Sequence, residues 1–133
     1  MAGYSETPLL KKLGIKPGFS AIVFNEPENY WDWLAPLPEK LVVKSRGKDF
    51  DFIHWFVKEN KIFEAEFNKK KSMLRKSGML WVSWPKKASK VTTDLNENII
   101  RDFALKNGLV DVKVCSVNEV WSGLKLVYRL TDR

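Results

Sequence analysis

The stretch from Asp94 to Leu130, DLNENIIRDFALKNGLVDVKVCSVNEVWSGLKLVYRL, decides the reading of the fold. In its first half Leu95, Ile99, Ile100 and Phe103 recur at helical spacing and form one apolar face. Asp94 and Glu97 stand at capping-box spacing, so the helix is predicted to start at Asp94. Asn107-Gly108 ends it. Beyond Gly108 the period changes. Val110, Val112 and Val114 alternate with Asp111, Lys113 and Cys115, as in a strand with one solvated side. That strand is predicted over Val110 to Val117 and a second over Leu124 to Leu130. The connector between them, Asn118 to Gly123, is short enough to make the two an antiparallel pair.

Upstream, Met79–Trp84, Phe50–Val57 and Phe19–Asn25 are short and almost continuously apolar, like strands buried on both faces. A helix is predicted over Lys61–Ser77, with Asn60 as cap, Gly78 as stop, and Ile62, Phe63, Phe67, Met73 and Leu74 as its buried stripe. Short helices are predicted at Pro8–Leu13, capped by Thr7 and stopped by Gly14, and at Pro27–Leu34. Another strand, Leu41–Lys44, lies only Ser45–Asp49 away from the next. A parallel crossover needs a dozen or more residues. This strand therefore either pairs antiparallel with Phe50–Val57 or is a stub beside Phe19–Asn25. The alternation predicts one α/β domain over residues 1–133: three layers, with a mixed, mostly parallel sheet of about six strands ending in the antiparallel pair.

Composition narrows the function classes. The 133 residues are 44% hydrophobic and 13% aromatic, which excludes a disordered chain. The lone cysteine, Cys115, rules out an intrachain disulfide, and that suits a reducing compartment. Residues 1–6 have no leader pattern, and no apolar run is long enough for a membrane span. The expected location is the cytoplasm, with no membrane partner. A net charge of +7 suits an anionic small molecule, an acidic protein surface or nucleic acid.

The turn after the first strand reads Asn25-Glu26-Pro27-Glu28-Asn29. Dinucleotide-binding folds place a glycine-rich turn here, so that backbone meets phosphate. This turn has no glycine and two carboxylates, which predicts no cofactor of the S-adenosylmethionine (SAM) or NAD type in the usual mode. Asn25 is expected to cap the helix that follows. No metal-ligand cluster appears. His54, mid-strand between Ile53 and Trp55, reads as a satisfied buried histidine, and Cys115 as packing.

Two basic features remain. Ser83-Trp84-Pro85-Lys86-Lys87-Ala88-Ser89-Lys90 leaves the carboxyl end of a central strand and leads to a helix start, where open α/β sheets bind ligands and anions. Trp84, Lys86, Lys87, Ser89, Trp121, Ser122 and Asn25 form the candidate ligand site there; the plainer alternative is a solvated basic loop anchored by Trp84. Lys69, Lys70, Lys71, Arg75 and Lys76 form a second cluster, predicted on one helix, that suits a phosphate backbone or is a solvated helix face.

The words WPKKAS, GLVDVKVC and WSGLK, with the opening GYSETPLLKKLGIKPG, resemble a small bacterial family known as a domain of unknown function. The resemblance implies a stand-alone bacterial cytosolic protein and no particular activity. The Leu13–Gly18 lead-in and the terminal antiparallel pair are similar to Rossmann-like domains of the methyltransferase type, a likeness of fold alone. The expected function is non-enzymatic binding of an anionic small molecule or acidic partner at the carboxyl edge of the sheet. The alternatives are nucleic-acid binding through the helix 61–77, and an enzyme with an unrecognised site.

Overall fold

The computed structural model describes residues 7–133; the leader expectation concerns residues 1–6 and lies outside them. Six strands form one sheet: β1 (Ser20–Phe24), β2 (Val42–Val43), β3 (Phe50–Phe56), β4 (Leu74–Pro85), β5 (Leu109–Ser116) and β6 (Trp121–Tyr128). Their order is β2-β1-β3-β4-β6-β5. β2, β1, β3 and β4 run parallel, and β6 is antiparallel to both β4 and β5. The strand at 41–44 is thus a two-residue stub parallel to β1, which resolves the short connector: a stub at the sheet edge spans the gap that a full crossover could not.

Helices cover both faces. Alternate side chains of the buried strands build two cores. Ile53, Trp55, Leu80, Val82, Trp84 and Leu124 pack under α3 (Asn60–Ser72) and α4 (Glu97–Lys106). Phe52, Phe56, Met79, Trp81 and Trp121 pack under α1 (Leu9–Leu13) and α2 (Tyr30–Leu34). Each such side chain contributes on the order of 1.5–3 kcal/mol relative to exposure. The outcome is a three-layer α/β fold around a mixed, mostly parallel sheet that ends in an antiparallel pair.

Several boundaries differ from expectation, each for a long-range reason. α3 stops at Ser72, because Leu74 joins the sheet opposite Phe50 and the Phe50 amide donates to the Met73 carbonyl at 2.9 Å. Met73 and Leu74 therefore leave the helical stripe, and Arg75 and Lys76 lie on β4. Gly78 is no helix stop: it sits inside β4, where a Cβ would come within 2.7 Å of the Phe50 carbonyl oxygen. Pro8, not Thr7, occupies the cap position of α1, and Gly14 closes that helix in the left-handed conformation. α4 starts at Glu97 with Asn96 as its cap, the Asn96 carboxamide accepting from the Ile99 amide at 2.9 Å. Asp94 instead accepts from the Asn60 amide at 2.7 Å and so caps α3. On β5 the register slips between Asp111 and Lys113, which turns Val112 and Val114 outward, 56% and 48% exposed.

Candidate active site

The chain leaves β1 toward β2 on one side, while β3 lies on the other. Open α/β sheets bind ligands outside the carboxyl ends of the strands where the order reverses in this way. The carboxyl ends of β1 and β3 carry Asn25 and the run Phe56-Val57-Lys58-Glu59. Asn25 adopts a left-handed backbone, φ 59°, which asparagine tolerates better than most residues. Its Nδ2 donates to the Phe56 carbonyl at 3.2 Å and ties the two strand ends together. Asn29 is left-handed too, φ 67°, and occupies the cap position of α2 without a side-chain bond. Asn25 therefore does not cap α2; two asparagines hold the sharp turn that glycines commonly hold.

Cavities flank this turn on both sides. Between β1 and β3 one of about 360 Å³ is walled by Asn25, Pro27, Phe56, Ile62 and Trp121, with Lys58 and Glu59 at its rim. Between β1 and β2 another of about 480 Å³ is lined by Phe24, Glu26, Trp31, Val43, Lys44 and Ser45. Both fall in the size range of small-molecule sites.

The floor beneath the first cavity is fixed by a buried polar chain. Tyr30 Oη lies 2.7 Å from His54 Nδ1, and His54 Nε2 lies 2.7 Å from Ser83 Oγ. The His54 ring stacks on Phe56 at 4.2 Å, and Phe56 meets Trp121 edge-on at 5.0 Å. Burial holds the His54 imidazole neutral, its pKa lowered to about 3. Burial, followed by the Glu26 charge, pushes the Tyr30 phenol up. Both bonds form with either tautomer, the neutral imidazole donating at one nitrogen and accepting a hydroxyl hydrogen at the other. His54 is the satisfied core histidine that its mid-strand position suggested.

The residues expected to form one cleft are only partly brought together. Asn25 and Trp121 share the first cavity. Trp84 faces the other core, because it stands opposite Ser122 in the β4–β6 register while Trp121 stands opposite Pro85, and adjacent register positions point to opposite faces. Lys86 turns away to Ser116 Oγ at 2.6 Å. The Ser89 hydroxyl closes its own turn, donating to the Lys86 carbonyl and accepting from the Val91 amide. Lys87 and Ser89 lie in a single 3-10 turn. The other cluster is also dispersed. Lys70 is buried, 2.9 Å from Glu66 and 4.1 Å above the Phe24 ring. Lys71 donates to the Asn107 carbonyl, Arg75 pairs with Asp51, and Lys76 sits over Tyr128. Lys69 remains exposed on α3. No sequence pattern marks Lys58, Glu59 or Trp31 as site residues, and Glu26 reads there only as repelling phosphate. Only their positions just beyond strand ends could have marked them.

No protein-family model matches the chain, and no curated protein matches it. Solved structures do. A TehB-like SAM-dependent methyltransferase from Corynebacterium glutamicum aligns over 96% of this chain and 91% of its own, at 11% identity and a TM-score of 0.58. The DhpI–SAH complex aligns over 92% and 83%, at 10% identity and a TM-score of 0.63. Magnesium protoporphyrin IX methyltransferase from Synechocystis, with bound SAM, aligns over 91% and 74%, at 11% identity and a TM-score of 0.59. The likeness is one of fold. It nevertheless overturns the expectation of a non-enzymatic binding domain, because the chain matches structures of enzymes along nearly its whole length.

Proposed function

We propose that this chain is an enzyme that transfers a methyl group from SAM, held over the turn 25–29, to an acceptor entering the crevice beside β3. The observation that carries this reading is the pair of cavities flanking a sharp, acid-bearing turn at the switch point of a sheet with the methyltransferase fold. The expectation that the turn excludes such a cofactor rested on missing glycines and on the charge of Glu26 and Glu28. Left-handed Asn25 and Asn29 supply the turn shape. The two carboxylates repel the pyrophosphate of NAD, but SAM carries a sulfonium and an ammonium against one carboxylate and is a net cation. The same charges that exclude the dinucleotide therefore favour SAM.

Glu26 would face the positive charge, Trp31, Phe24 and Val43 would wall the purine, and Ser45 would offer a hydroxyl to the ribose. No carboxylate stands at Lys44-Ser45-Arg46, where dinucleotide folds meet a ribose diol, so ribose recognition rests on a neutral group here. When bound, SAM supplies an electrophilic methyl group. On the acceptor side Lys58 and Glu59 present an ammonium and a carboxylate at the cavity rim, suited to orienting a polar acceptor, and Phe56 and Trp121 exclude water from its floor. We place the reaction in the cytoplasm, on the single-cysteine composition; no helix of the described residues is long and apolar enough to cross a membrane.

Calorimetric titration with SAM, which keeps the sulfonium charge, tests the reading. Saturable binding that weakens about tenfold in Glu26→Gln is expected, the worth of one charged contact. NAD should give no heat. Absence of heat from both S-adenosylhomocysteine and SAM at millimolar concentration overturns the proposal.

A further inference from the structure

The antiparallel ribbon of β5 and β6 carries a second feature, away from the cavities. Lys113 stands directly opposite Lys125 across the two strands. Like charges in such a pair destabilise a sheet. Both point to the α1 side, since Lys125 is also the register partner of Trp81 and the flanking Cys115 and Val127 pack on that core. Lys113 Nζ reaches the carbonyl of Lys12 at the end of α1, 3.3 Å away. Burial, then the charges of Lys113 and Lys16, hold the Lys125 ammonium below its ordinary pKa. Burial pushes the Cys115 thiol up, against the lowering charges of Lys113, Lys12 and Lys86. The ion pairs among the described residues lie elsewhere, on Lys70, Arg75 and Arg101.

We propose that this ribbon face, centred on Lys113 and Lys125 with Lys12 and Lys16 at its margin, docks the phosphate backbone of a nucleic acid. Opposed cations on a sheet face are relieved by an anion that bridges them, and a row of them by an anion with repeating charge. The chemistry of the row favours phosphodiester over an acidic protein. Every cation in it is lysine; none is arginine. Protein interfaces are depleted in lysine and draw on arginine and aromatic anchors, whereas lysine meets phosphate as a point charge and reads no sequence. The binding is thus independent of base sequence and does not rest on the methyl-transfer reading.

The test is fluorescence anisotropy with a short labelled DNA duplex of arbitrary sequence, across a salt series. The ribbon variant Lys16→Ala/Lys113→Ala/Lys125→Ala is compared with Lys61→Ala/Lys69→Ala/Lys106→Ala, which removes equal charge from α3 and α4. The ribbon variant should lose tenfold or more in affinity, and its log–log salt slope should flatten by about 0.9 for each phosphate no longer neutralised. Its melting temperature should be no lower than that of the wild type, because the like-charge pair is gone. At physiological salt the second variant should stay within about twofold of the wild type, because α3 and α4 cover the opposite face of the sheet. Equal weakening of both variants overturns the proposal, as does absence of binding at low salt. Displacement by polyglutamate at matched charge would also overturn it, and would assign the face to acidic protein.

Discussion

Stability against pH isolates His54, because it is the only histidine in the chain. In the unfolded chain its imidazole titrates near its ordinary value of about 6.5; folded, burial lowers it to about 3. The unfolded state therefore binds a proton below pH 6.5 that the folded state refuses until pH 3. A depressed folded pKa contributes stability that is fully present above the unfolded value and is lost as pH falls. Between those limits the slope approaches about 1.4 kcal/mol per pH unit, so moving from pH 8 to pH 5 should cost about 2 kcal/mol. Urea melts at pH 8, 7, 6 and 5 read this directly, above the range where most carboxylates titrate. His54→Gln starts less stable, since it disturbs the bonds to Tyr30 and Ser83, but its stability should be nearly flat from pH 8 to pH 5. If wild type and His54→Gln lose stability in parallel over that window, the imidazole is not buried neutral and the polar chain under Phe56 is wrong.

Tyr30→Phe removes the hydroxyl that meets His54 Nδ1 at 2.7 Å and should cost about 1–3 kcal/mol in the same melts, as an unsatisfied buried group does. Gly78→Ala should destabilise by about 1–3 kcal/mol, since its Cβ would press on the Phe50 carbonyl; a neutral result would remove the close β3–β4 approach. Asp94→Ala and Asn96→Ala should each cost about 1 kcal/mol. Hydrogen exchange should assign the first loss to the start of α3 and the second to the start of α4. Protection lost only at α4 in both would restore Asp94 as the local cap.

Where neighbours in sequence are also neighbours in space, the chain is readable. The apolar runs of β1 and β3, the terminal antiparallel pair and the left-handed Gly14 are of this kind. Met73 and Leu74 are not: they continue the helical spacing of Phe63 and Phe67, yet pairing with Phe50 draws Leu74 into the sheet. Val112 and Val114 keep perfect alternation in sequence, and one register slip reverses which side they face. Asp94 satisfies a local capping rule while its carboxylate serves a different helix. In the candidate site, Asn25 and Trp121 could be placed at one sheet edge from the order of elements, but the reversal of strand order between β1 and β3 sits on no short word. Without it, Glu26 and Glu28 read only as obstacles to phosphate.

The two helical layers differ in length: five residues each for α1 and α2, against thirteen for α3 and ten for α4. Helices of five residues have no independent stability. α1 and α2 persist because Leu13, Tyr30 and Leu34 are buried on the sheet and because the Trp81 indole donates to the Leu13 carbonyl at 2.9 Å. Their amides are therefore expected to exchange through openings that leave β3, β4 and α3 intact, a separate cooperative unit of low free energy. The turn 25–29 belongs to that unit. The fold thus keeps a rigid half, made of the sheet and its long helices, and a half that can loosen around a ligand and close again without unfolding the rest.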